Sequence, residues 1–243
     1  MLNDDMTSAD KEKIAGFLHV AGDFLGSGYI SEKIDYQFDD IPPTVDGKTV
    51  SVKDDSLEQI ADEIRGCKNC PLGETRKNAV PGEGAANPLV LVIGEGPGAE
   101  EDAQGRPFVG NAGKLLDKML SSIDLSRTTN CFIANVVKCR PPGNRDPHPQ
   151  ESASCANFLQ RQISFLKPKF ILLVGNVAAQ NVLKTTDRVG KLRGKFTEYK
   201  IDGAVIPLLV TYHPSALLHS DEYKRPAWED LKLLRSKIEE SGG

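Results

Sequence analysis

The residues of this chain that could do chemistry stand where apolar runs give way to loops. Leu89 to Ile93 are five consecutive apolar residues, followed by Gly94-Glu95-Gly96-Pro97-Gly98 and then Gly105-Arg-Pro-Phe108-Val-Gly110. The glycines let the backbone turn sharply against a ligand, so a flat or phosphorylated group could lie there. Phe108, flanked by Gly and Pro, reads either as a stacking platform or as a plug in the core beneath its loop. Asn135 falls near the end of a second apolar run, Cys131 to Val137, and His213 follows a last one, Val205 to Thr211. Cys67-Lys-Asn-Cys70 is a CxxC, which outside an oxidising compartment means metal, cluster or redox chemistry. Five cysteines, an odd number, cannot form a complete disulfide framework, and two of the other three, Cys131, Cys139 and Cys155, have to be weighed as further ligands.

The elements that must position these groups alternate between strand and helix. Apolar runs at Leu89 to Ile93, Cys131 to Val137, Phe170 to Val174 and Val205 to Thr211 have the length and composition of strands covered on both faces. Helical periodicity falls between and after them, at Lys114 to Ile123, Gln150 to Leu166, Gly175 to Leu183, and from about Pro226, where Trp228, Leu231, Leu234 and Ile238 are expected to be buried. Alternating strands and helices predict a parallel sheet with right-handed crossovers, whose ligands bind beyond the carboxyl ends of the strands. Glu95, Asn135 and His213 all belong to that rim. Three polar groups from distant segments converging on one edge carry more weight than a single histidine or asparagine, which usually just satisfies a loop.

Upstream, Thr7 to Asp10 reads as a capping box for an amphipathic helix with Ile14, Phe17, Leu18, Ala21, Phe24 and Leu25 on one face, ended by Gly26-Ser-Gly28. An acidic, Pro-containing linker follows over 29–54, and Asp55 is expected to cap a short helix bearing Leu57, Ile60, Ala61 and Ile64. The domain division is therefore an acidic extension over 1–55 and a main domain over 56–243.

Charge supports that division. The chain carries a formal net charge of -4, yet residues 1–66 hold 15 acids against 6 bases, which leaves the remainder net positive. A cluster at Arg188, Lys191, Arg193 and Lys195 permits a DNA-facing surface, and equally reads as a solvated loop. No apolar run approaches membrane-spanning length and the N-terminus is acidic, so a cytoplasmic protein without disulfides is expected.

Taken together, GEGPGAEEDAQGRPFVGNAG, NVVKCRPPGNRDPHP, the spacing of four cysteines and HPSALL resemble the family 4 uracil-DNA glycosylases, from about Leu57 to Ile238. The resemblance implies a three-layer α/β/α sandwich around a four-stranded parallel sheet. It implies cluster ligands at Cys67, Cys70, Cys139 and Cys155, leaving Cys131 as a buried strand thiol. Four thiolates suit a [4Fe-4S] cluster, although spacing alone would also admit zinc. The resemblance further sets Phe108 under a uracil ring, Asn135 against its pairing edge, His213 near its O2, and Glu95 and Gly96 along the other side. Each assignment fits the chemistry: an amide offers a donor and an acceptor side by side, and a donor at O2 meets negative charge as the glycosidic bond breaks.

Two departures from related families bear on the site. Relatives place an Asp after the residue matching Glu95 where this chain has Gly96, which leaves Glu95 to position water, exclude a thymine methyl group, or do both. His219 stands where a basic residue is common, which weakens one phosphate contact. Leu217 resembles the wedge that fills the gap left by an extruded base, and would otherwise be a core residue.

The expected activity is removal of uracil from single-stranded or mispaired DNA, leaving an abasic site. The rivals are a glycosylase for hypoxanthine or xanthine, a variant that links covalently to DNA, for which His148 is the only candidate nucleophile in its region, and a nucleic-acid-binding module without catalysis. A monomer is expected, with the acidic arm as a candidate contact for a protein partner.

Overall fold

The structure, a computed structural model, describes residues 56–242; the expected helix near the N-terminus, the 29–54 linker and Asp55 lie outside the described residues. Helix α1 (Leu57–Gly66) is capped by Ser56, not by Asp55: the Ser56 hydroxyl accepts from the Gln59 N–H at 3.1 Å while the Gln59 side chain accepts from the Ser56 N–H at 2.8 Å. This reciprocal box satisfies two of the orphan amides of the first turn. Ile60 and Ile64 then pack against Ala79 and Phe158, and a short helix α2 (Leu72–Thr75) follows.

The sheet is six-stranded and mixed, in the order β1-β3-β2-β4-β6-β5. Its inner strands β2 (Val90–Gly94), β3 (Cys131–Asn135), β4 (Phe170–Val174) and β6 (Ala204–Thr211) run parallel. The expected count of four is corrected by two antiparallel edges, β1 (Glu83–Gly84) on β3 and β5 (Phe196–Ile201) on β6. Neither edge has the signature of a buried strand. β1 is two residues long, and no residue of β5 is fully buried, with Tyr199 and Ile201 against one core cluster and Phe196 against the other. The β5–β6 hairpin turns at Asp202-Gly203, both at positive φ (49° and 75°), the dipeptide that such turns favour.

Every residue of β2, β3 and β4 is buried, and their alternate side chains divide the core in two. Leu91, Ile93, Ile171 and Leu173 pack under helices α5 (Pro149–Leu166) and α6 (Asn176–Leu183). Val90, Val92, Ile133 and Leu172 pack on the other face against α4 (Asn111–Ser121) and α9 (Lys224–Glu240). Helices thus cover both sides of the sheet. On α9 the buried stripe is Ala227, Leu231, Leu234 and Ile238, and Trp228, expected inside, is 42% exposed because it lies one position off that stripe. No described helix is long and apolar enough to cross a membrane.

The strand order also opens the site. From β2 at the centre the chain goes to β3 on one side and then to β4 on the other, so the connections diverge at the carboxyl ends and leave a crevice there.

Candidate functional site

That crevice is a cleft of about 530 Å³ lined by Glu95, Gly96, Phe108, Asn135 and His213, among others. Glu95 is the first residue beyond β2. Asn135 is the last residue of β3 and lies in register with Gly94 of β2. A Cβ on Gly94 would come within 2.5 Å of Asn135 Oδ1 and 2.6 Å of the Phe108 ring, so the glycine is what lets both side chains close over the strand end. Asn135 is 1% exposed, and among the described residues its Oδ1 is buried without a hydrogen-bond partner. Leaving a buried acceptor unpaired costs about 1–3 kcal/mol, and the amide edge is therefore set for a donor that arrives from the cleft.

His213 is the N-cap of α8 (Pro214–His219). Its Nδ1 accepts from the Ser215 N–H at 3.2 Å and lies 2.7 Å from the Ser215 hydroxyl. With Nδ1 accepting, the neutral ring carries its proton on Nε2. Burial keeps the ring neutral by pushing its pKa down to about 4. The Phe108 and His213 ring centroids are 5.6 Å apart, tilted by 34°. Glu95 moves the opposite way: burial, then the nearby Asp146 carboxylate, raise its pKa to about 7.

A second constellation lies outside the cleft. Cys67, Cys70, Cys139 and Cys155, all free thiols from three segments of the chain, line one pocket together with Arg76 and Lys138. Arg76 donates to Cys139 Sγ at 2.8 Å and to the Cys67 carbonyl at 2.9 Å, and the Asn69 N–H donates to Cys67 Sγ at 3.5 Å. Donors aimed at sulfur suit thiolate ligands. Cys131 stays apart on β3, fully buried, its thiol pushed up to about 12 by burial. Among the described residues, no group of three or more His, Cys, Asp or Glu could hold a metal ion as the chain stands.

The model of a family described as the uracil DNA glycosylase superfamily matches residues 81–232. The chain belongs to that superfamily. Within it the likeness is to type-4 members. The chain is 42% identical over 189 residues to the type-4 uracil-DNA glycosylase of Saccharolobus solfataricus, covering 76% of this chain and 87% of that one. It is 40% identical to that of Archaeoglobus fulgidus (74% and 92% covered) and 39% identical to that of Thermotoga maritima (78% and 98% covered).

In this type-4 superfamily member the expected pocket residues Glu95, Gly96, Phe108, Asn135 and His213 share one cleft, and the four expected cysteines share one pocket. Leu217 does not fit its expected role. It is 4% exposed and belongs to the same core cluster as Leu116 and Leu231, whereas Leu218 beside it is 50% exposed. The two leucines stand one helical step apart, and the sequence did not say which of them would face inward. His148 is exposed at the start of α5 and does not line the cleft. The basic cluster is divided: Arg193 is bound to Asp230, which is fully buried, and Lys191 pairs with Asp187.

Sequence reasoning missed Arg145, Glu101 and Ser215 as cleft residues. Arg145 forms a fork with Glu151 at 2.8 and 2.7 Å, tying the loop after β3 to α5, and that guanidinium holds the Glu151 carboxyl down to about 2. The signal for Ser215 was available: a serine two residues after a histidine at a helix start can reach the ring nitrogen.

Proposed function

We propose that this protein flips uracil out of DNA and hydrolyses its N-glycosidic bond, leaving an abasic site. The observation that carries this reading is the buried, unpartnered Asn135 Oδ1 that lines one cleft with the Phe108 ring, in a chain whose relatives are named uracil-DNA glycosylases. Uracil offers the N3–H donor that the oxygen lacks, and its O4 accepts from the same amide. Cytosine presents an acceptor at N3 and a donor in place of O4, so the fixed amide pairs with the wrong groups.

Phe108 supplies a stacking face worth roughly 1–3 kcal/mol per base. As the bond between C1′ and N1 breaks, its electron pair goes to the ring and charge grows on O2. The neutral His213 donates from Nε2 to that oxygen, and it costs no reorganisation because Ser215 already fixes the tautomer. Water completes the reaction at C1′, positioned by ionised Glu95. Leu218, exposed where Leu217 is not, fills the gap in the base stack.

Cys67, Cys70, Cys139 and Cys155 suit a [4Fe-4S] cluster by donor type and by their shared pocket. Bound there, the cluster would supply a cross-link, and the hydrolysis described above needs no redox step from it. The chain's own contribution is to bring the end of α1, the segment after β3 and the second turn of α5 to one point. The catalytic domain is 56–243, working as a monomer.

The test is incubation with uracil-, hypoxanthine-, xanthine- and cytosine-containing oligonucleotides followed by alkali cleavage. Strand scission at uracil is expected. Scission only at a purine would favour the other deaminated bases, and binding without scission would leave a binding module.

A further inference from the structure

Phe108 has a backbone φ of +51°, in the left-handed region that a bulky side chain enters only under constraint. The constraint comes from three directions. Arg127 donates from Nη1 to the Pro107 carbonyl at 2.7 Å and from Nη2 to the Phe108 carbonyl at 2.9 Å. Glu101 Oε1 accepts from the Val109 and Gly110 N–H groups at 2.9 and 3.0 Å. The backbone of α4 closes the third side, where a Cβ on Gly113 would stand 2.0 Å from the Phe108 carbonyl oxygen. Arg127 is itself anchored: its side chain is 10% exposed, and its Nε and Nη2 both donate to Asp117 Oδ1, at 3.0 and 2.9 Å.

Neither Arg127 nor Asp117 lines the cleft. Their reach ends on the main chain of Pro107 and Phe108, and a planar fork fixes orientation as well as position. We propose that Arg127, held by Asp117, is a positioning residue that locks Phe108 in its left-handed conformation and so sets the angle and height of the ring as the base platform. The proposal rests on the reading of Phe108 as that platform. Substrate specificity then depends on a residue outside the pocket. A ring free to relax toward ordinary φ would leave the extruded base without a floor, and Asn135 and His213 would meet it misplaced.

The experiment is a double-mutant cycle in the full chain with its cofactor bound, read by single-turnover uracil excision and by inhibition with free uracil. Arg127→Met is expected to slow excision roughly 10- to 100-fold and to weaken free-uracil inhibition, in line with the cost of small misplacements at a reacting centre. Arg127→Lys, which keeps charge but loses the fork, should fall between. In a Phe108→Ala background, adding Arg127→Met should change the rate by less than about twofold, because the residue through which it acts is gone. Equal losses in both backgrounds would make Arg127 a general structural residue and overturn the proposal. So would a parent-like Arg127→Met. Phe108→Ala excising at the parent rate would instead sink the platform reading itself. If Arg127→Met fails to fold by circular dichroism, Asp117→Asn removes only the anchor and must give the same ring-dependent loss.

Discussion

The Lys138 ammonium donates at 2.8 Å to the main-chain oxygen of Asn135, and so joins the cysteine pocket that Lys138 lines to a residue of the cleft. Lys138 is 1% exposed, and its second acceptor is Gln162 Oε1 at 2.7 Å, with the Gln162 amide in turn on the Pro81 carbonyl. Lys138→Met keeps the volume and strands two buried acceptors. A stability loss of about 1–3 kcal/mol is expected in denaturant unfolding. Uracil excision should fall more than DNA affinity does, because the turn that carries Asn135 loses its support.

Asn135→Asp should narrow the preference for uracil over cytosine. The carboxylate keeps an acceptor but loses the donor for O4, and it can accept from the cytosine amino group. Single-turnover rates on uracil- and cytosine-containing oligonucleotides measure this, and an unchanged ratio would remove Asn135 from base selection.

His213→Ala should leave DNA binding within a few fold but slow cleavage about 100- to 1000-fold, the scale for losing one preorganised donor to developing charge. Because burial holds the ring pKa down to about 4, His213 is neutral across the working range and adds no inflection near its ordinary value of 6.5. The depressed pKa also has a stability consequence. The unfolded chain takes up a proton below pH 6.5 and the folded one does not, so this contribution is full above 6.5 and is lost as pH falls through 4.

Glu95 supplies the inflection instead. With its pKa raised to about 7 by burial and Asp146, it is protonated below that pH and can no longer take a proton from the attacking water. The excision rate should rise between pH 6 and 8 and then level off. Glu95→Gln should be slow and nearly flat over the same range, and a rise that survives the substitution would assign the titration elsewhere.

Cys139→Ser should cost iron, visible colour and thermal stability, whereas Cys131→Ser, altered inside β3 away from the shared pocket, should keep iron near the parent content of about four per chain. Metal analysis with absorbance spectra decides between them. Equal iron loss in both variants would mean that the ligand set is wrong.

Much of this protein is legible in one dimension because its main features are local. Five-residue apolar runs become strands wherever both faces are covered, and β2, β3 and β4 are covered. Glu95, Asn135 and His213 follow such runs, so their shared rim follows from parallel topology alone. The edges were less readable: no residue of β5 is fully buried, so it lacks the continuous apolar run of the inner strands, and its Asp202-Gly203 turn is a signal of only two residues.

What the tertiary structure decided is pairing across distance and choice between neighbours. Leu217 went inside and Leu218 stayed out because α8 meets α4 on one face only, and Trp228 was left outside by a single helical step. Arg127 reaches the backbone of Phe108 from 19 residues away, and Lys138 reaches Gln162 from 24. No local pattern encodes such contacts, since a guanidinium or ammonium looks the same in sequence whether water or a carbonyl receives it. The sequence by itself determined which groups stand at the strand ends. Only the folded packing decided that Phe108 is held at a backbone angle it would not choose and that His213 is neutral, because distant partners set the first and burial the second.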